Sequence, residues 1–161
     1  MPQAKTDEKK TIQYKIAEIK KLAHYENDFR EFGLNENELE PMQVQFTMKT
    51  IRDESPNSIS IYMKVDFLDK EQRFNLFGLT CIYRFEIKGL EIKFTKEGTF
   101  QLPKEATRQF LSLIISGVRG MLVAVNTTPE YHKILLPLID PDDLASELEK
   151  ANPFPSQATD Q

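Results

Sequence analysis

In QVQFTMKTI, residues 43–51, Val44, Phe46 and Met48 fall on one side of a two-residue alternation, with Gln45, Thr47 and Lys49 on the other. SISIYMKVDF repeats the pattern, setting Ile59, Ile61, Met63, Val65 and Phe67 against Ser60, Tyr62, Lys64 and Asp66. Successive side chains of a strand point to opposite faces, so both runs predict strands with one wet face. DESPNS between them is turn chemistry, and the pair predicts a hairpin. RFNLFGLTCIYRFEI begins on Phe74 and Leu76, changes phase, and continues on Leu79, Cys81, Tyr83, Phe85 and Ile87. A one-residue slip would turn the strand inside out, so a bulge or bend is expected at Phe77-Gly78. EIKFTKEGTFQLP predicts a weaker extended segment. TIQYKIAEIKKLAHYE fits two periods: Ile12, Tyr14 and Ile16 alternate, while Ile12, Ile16, Ile19 and Ala23 recur at helical spacing. The pattern alone leaves that stretch open.

From Lys104 the period becomes helical. Phe110, Ile114, Val118 and Leu122 recur every fourth residue, flanked by Leu111, Ile115, Met121 and Val125. The stripe is wider than one sheet-facing side requires. Beside it runs a row of small residues, Ser112, Ser116, Gly120 and Ala124, with Gly117 nearby, and this row is expected to be a subunit interface. KILLPLIDPDDLASELEK then strings Ile134, Leu135, Leu136, Leu138 and Ile139 around Pro137. Proline has no N–H for a central strand and blocks a helix interior, so an apolar extended connector is expected. A short helix follows, with Asp140 as N-cap, Pro141 at its first position, Asp142 and Asp143 facing the positive end of the dipole, and Leu144 and Leu148 as an apolar edge. Strands followed by helices define an α+β fold that ends in a long and a short helix.

The 161 residues suffice for one domain with a real core, expected over 11–151 between polar or proline-broken tails at 1–10 and 152–161. Phe154 in the second tail is a candidate for folding over a groove. A formal charge of −4 argues against nucleic-acid binding, which usually needs a basic patch. One cysteine, Cys81, excludes an intrachain disulfide, and His24 and His132 lie too far apart to suggest a metal site. Cys81 is expected to be a small core residue and His132 an exposed loop residue. The polar N-terminus shows no signal peptide and no apolar run approaches ~18–20 residues, so a cytoplasmic protein without membrane insertion is expected. No nucleophile–base set, metal spacing or phosphate loop is visible, and neither enzymatic activity nor a cofactor is expected. Asp142-Asp143 fits a helix dipole better than a catalytic pair. GVRG matches the bare Gly-x-x-Gly of KH RNA-binding loops but falls inside the helical stripe. What remains is surplus apolar surface, which a monomer rarely leaves exposed without a binding role.

The order of elements, together with ATRQFLSLIISGVRGMLVAVNTTPEYHKILLPLIDPDDL, resembles the SecB family of export chaperones. Arg119-Gly120 echoes the family's Arg-Gly step, and LLPLIDPDDL its Leu-x-Pro-(Val/Ile)-Asn connector; VQFTMKT and FEIKGL sit where the family has its second strand and the end of its fourth. The resemblance covers about residues 12–150. It implies a four-stranded antiparallel sheet with 12–26 as its first strand and the long and the short C-terminal helix packed on one face, and dimers of dimers formed through the long helix. It further implies an ATP-independent holdase that binds unfolded polypeptide clients in apolar grooves, for protein export or antitoxin protection. On pattern and loose alignment, Phe77, Phe110, Ile114, Leu136, Leu138 and Ile139 are the expected groove residues. Export members dock the translocase motor through acidic sheet positions. Here these read KKLAHY and Gly78, which leaves motor docking in doubt, and the loop VAVNTTPEYHK is longer, as in the SecB-like branch whose members protect antitoxins or have no assigned client. Two other readings stand beside it: a structural protein whose apolar surface serves only self-association, and an RNA-binding module using GVRG.

Overall fold

Strands β1 (Gln13–Glu26), β2 (Gln43–Arg52), β3 (Ser58–Leu68) and β4 (Asn75–Lys88) form one antiparallel sheet in the order β1-β4-β3-β2. β2, β3 and β4 follow one another as hairpins. The β1–β2 connection instead crosses from one edge of the sheet to the other, through short 3-10 turns at Phe29–Phe32 and Glu36–Glu38. A small ribbon, β5 (Lys93–Phe94) with β6 (Phe100–Gln101), precedes α1 (Lys104–Val125), the single turn α2 (Pro129–His132) and α3 (Pro141–Ala151). The computed structural model describes residues 13–89, 93–94 and 100–151. The expected tails, Phe154 and the side chain of Leu148 lie outside the described residues.

The two alternating runs pair as expected, Val44 opposite Phe67 and Met48 opposite Met63. Asp53 in the turn accepts bonds from the hydroxyls of Ser58 and Ser60, so these buried serines are satisfied. The ambiguous stretch is β1. The β4 phase change is a register shift against β3 at Leu76, one residue before the expected site. Beyond it, Phe77, Leu79, Cys81, Tyr83, Phe85 and Ile87 all face the helices and are buried.

α1 lies on that face. The Phe110 ring stacks on Phe85 at 4.2 Å and meets Tyr14 edge-on at 4.7 Å. Its wide stripe is largely consumed inside the chain: Phe110, Leu111, Ile114, Ile115, Val118 and Leu122 join the core, together with Leu144 and Ala145 of α3. By length and composition alone α1 could cross a membrane, but its apolar stripe is packed against β4 and α3. Asp140 caps α3 as expected, its carboxylate accepting from Asp142 N at 2.9 Å. Asp142 in the first turn also pairs with Arg108 of α1 at 3.7 Å.

Gly117 sets how closely α1 approaches the sheet. A Cβ there would lie 2.0 Å from Tyr83 Oη, so the glycine belongs to the helix–sheet contact. The Tyr83 hydroxyl is buried without a hydrogen-bond partner among the described residues. Tyr83→Phe is therefore expected to be neutral or stabilising, since an unsatisfied buried polar group costs ~1–3 kcal/mol. Gly117→Ala gains helix propensity of ~1 kcal/mol but creates the clash, and overpacking costs ~1–3 kcal/mol. We expect a lower melting temperature for Gly117→Ala alone and a partial recovery in the double variant. Additive melting shifts would show that the two groups do not collide.

Two hydrogen-bonded carboxylates, half-buried Glu26 and buried Asp69, make the fold acid-sensitive. Burial pushes the Glu26 carboxyl up. Bonds from Thr127 Oγ1 (2.6 Å), Thr128 N (3.1 Å) and Thr127 N (2.8 Å), with the nearby His24, outweigh burial and hold it below the usual range. Asp69 is likewise raised by burial but brought lower by bonds from Phe74 N and Arg73 N, both 2.7 Å, and from the Arg73 guanidinium. A carboxyl with a depressed folded pKa stabilises above its unfolded value, and that stability is lost as pH falls through the folded one. The melting temperature should fall below about pH 4. Glu26→Gln and Asp69→Asn should each lower it at neutral pH and flatten the acid slope. Melting curves that stay parallel to wild type across pH 7 to 3 would contradict this.

Candidate functional site

The connector between α2 and α3, residues 134–140, has no regular structure, so its carbonyls need partners from elsewhere. Arg119 supplies them: Nε donates to Leu136 O at 3.2 Å and Nη2 to Pro137 O at 3.0 Å. This fixes which side chains turn inward. Leu136 is buried (4% exposed), Ile134 and Ile139 are half-buried, and Leu135 and Leu138 face solvent at 59% and 94% exposure. Leu138 is the most exposed large apolar side chain among the described residues.

Beside the connector lies an open groove of about 400 Å³ lined by Glu40, Pro41, Met42, Val44, Phe67, Ile134, Leu135 and Pro137. One wall is the end of the crossover and the start of edge strand β2; the other is the connector. The floor is the Phe67 ring, stacked on Phe77 at 4.2 Å, with Tyr131 against Phe77 at 4.6 Å. The crossover is held in place by Asn27 N to Leu76 O (2.7 Å), Tyr131 Oη to Asn27 O (2.6 Å) and the Arg30–Glu130 pair (2.7 Å). The loop NTTPEYHK is thus an anchor: Tyr131 is buried within it, while His132 is exposed.

The expected groove residues do not gather. Phe77, Phe110 and Ile114 are fully buried core residues, and Leu136 is nearly so. As the chain stands they present no surface to a client, because the sheet and α1 consume them. Leu138 and Ile139 stay on the connector, Leu138 fully accessible. Pattern reading missed Met42, Val44 and Leu135; the available signal was an apolar Met-x-Val at the start of an edge strand.

The small-residue row is accessible. Ser116, Gly120 and Ala124 are exposed and Ser112 half-buried, with Leu113 and Val123 exposed beside them. Ser112 Oγ donates to Arg108 O and Ser116 Oγ to Ser112 O, each at 2.9 Å, so the hydroxyls are spent within the helix. GVRG lies inside α1, with Gly117 on Tyr83 and Arg119 on the connector, and forms no loop between helices. No protein-family model matches the chain, and no curated protein is significantly similar to it. Among the described residues, no three His, Cys, Asp or Glu side chains gather as metal ligands. Burial pushes the Cys81 thiol up to about 12, so it stays protonated at neutral pH.

Proposed function

We propose that this protein is an ATP-independent holdase that binds apolar segments of non-native polypeptides, a SecB-like chaperone. The observation that carries the reading is the pinned connector: Arg119 holds Leu138 and Leu135 in water beside an apolar groove. Holding such side chains in solvent forgoes ~25 cal/mol per Å² of apolar area that burial would return. A client segment recovers it. Methionine and open walls suit varied sequences better than a closed pocket would. The antiparallel sheet with a long C-terminal helix and short helices agrees with the expected fold, and the SecB-like part of the reading rests on the sequence resemblance.

The exposed small-residue row favours a second reading, a protein whose apolar surface serves only self-association. Ile16 and Ile19 also stand exposed on the helix-facing side of edge strand β1. In the holdase reading this row and the β1 edge join copies, while the connector groove remains open.

The deciding experiment follows light scattering of a denatured client diluted into the native oligomer without ATP. Stoichiometric suppression by wild type, lost in Leu135→Asp/Leu138→Asp at unchanged oligomer size, is the expected result. No suppression by a stable wild-type oligomer would leave self-association as the function.

A further inference from the structure

The sheet face turned away from the helices carries charge of the opposite sign to the chain. The net charge is −4, yet the strand residues on this face include Lys15, Lys20, Lys49, Lys64, Arg84 and Lys88. Its strand acids are each engaged: Glu86 with Lys15 at 2.7 Å, Asp66 with Lys64 at 3.0 Å, and Glu18 with Arg84 at 3.9 Å. Asp53, at the rim, is held by Ser58 and Ser60. Arg84 Nε is buried and has no hydrogen-bond partner among the described residues.

One row of this face crosses all four strands. Lys20 of β1 lies opposite Ile82 of β4, which lies opposite Tyr62 of β3, which lies opposite Lys49 of β2. Lys20 and Lys49 are exposed, and Ile82 and Tyr62 are half-exposed between them. Three interstrand spacings separate the lysine backbones by ~14 Å. In an extended peptide, residues i and i+4 share a face and also stand ~14 Å apart, with i+2 midway.

We propose that this face docks an acidic polypeptide segment carrying carboxylates at i and i+4 and an apolar side chain at i+2. The carboxylates pair with Lys20 and Lys49, and the apolar side chain lies on Ile82 and Tyr62. A polynucleotide fits worse, because Glu18, Glu86 and Asp66 interrupt the positive field that a run of phosphates needs. The face is separate from the connector groove and lies on the opposite side of the sheet.

The test uses fluorescence anisotropy of a labelled 12-residue peptide, Glu-Ser-Leu-Ser repeated three times, with the full-length native protein at ~150 mM salt. Binding is expected for this peptide and not for its Gln-for-Glu counterpart. It should weaken about tenfold in Lys20→Glu/Lys49→Glu, since two exposed ion pairs are lost and reversed. The substituted side chains are exposed, so the melting temperature should not move. Leu135→Asp/Leu138→Asp should bind like wild type, which separates this surface from the proposed client groove. The proposal is overturned by no wild-type binding, or by equal binding to the charge-reversed variant. Loss of binding in the connector variant, or tighter binding of a 12-nucleotide oligouridylate, also overturns it. So does a change of oligomer size in Lys20→Glu/Lys49→Glu, which would make the face a contact between copies.

Discussion

Gly78→Ala is expected to destabilise the protein by about 3 kcal/mol, at the top of the usual overpacking range. A Cβ at this position would lie 2.6 Å from Tyr25 Cε1, 2.7 Å from the Val65 carbonyl oxygen and 2.9 Å from Asp66 Oδ1. The Val65 oxygen is backbone of the paired strand and cannot rotate aside. The glycine lets the Tyr25 ring of β1 lie across β4 and donate its hydroxyl to Asp66 of β3 at 2.7 Å. Three strands are thereby tied on the outer face, and Asp66, also paired with Lys64, is buried there. For a chain of this size the change should lower the melting temperature by roughly 6–12 °C. Tyr25→Phe loses only the hydroxyl bond and should cost about 1 kcal/mol. If Gly78→Ala melted no earlier than Tyr25→Phe, the close approach would be carrying no weight.

Where regular alternation ran unbroken, in β2, β3 and the body of β4, the sequence was enough to place strands and faces. β1 was ambiguous for a physical reason. Its pairing with β4 shifts register between Ile16 and Glu18 and again between Lys21 and Ala23. The first shift puts Ile16 and Ile19 on one face although they are three residues apart, opposite Phe85 and Tyr83. A bulged strand thus imitates helical spacing. The resemblance to a family, not the period, pointed to a strand. In β4 the phase change was visible, but not which residue was extra, since Leu76, Phe77, Gly78 and Leu79 are all buried.

The groove was less legible. Its walls come from residues near 40 and near 135, and no local period links Met42 or Val44 to Leu135. Phe77, Phe110 and Ile114 had the right chemistry for a client surface, but the same chemistry builds cores, and the sheet–helix contact takes them. In the connector there is no period at all. Which leucines turn inward depends on two bonds from Arg119, a residue 17 and 18 positions away. The pattern offered Leu136 and Leu138 as equals; the backbone contacts separate them.

That separation yields the second large effect. Leu136→Asp should cost at least about 4 kcal/mol, because it both removes a buried leucine and puts a carboxylate in its place. Its melting temperature should fall by roughly 8–16 °C. Leu138→Asp, two residues on, should change stability by no more than about 0.5 kcal/mol, as exposed substitutions usually do. The functional order is the reverse of what stability alone would give: Leu138→Asp should weaken the holding of a denatured client while melting like wild type. Client holding lost only in step with stability, in Leu136→Asp but not in Leu138→Asp, would mean that the exposed leucine touches nothing. The connector would then be a structural strap tied down by Arg119, and the apolar surface of this chain would belong to its own copies.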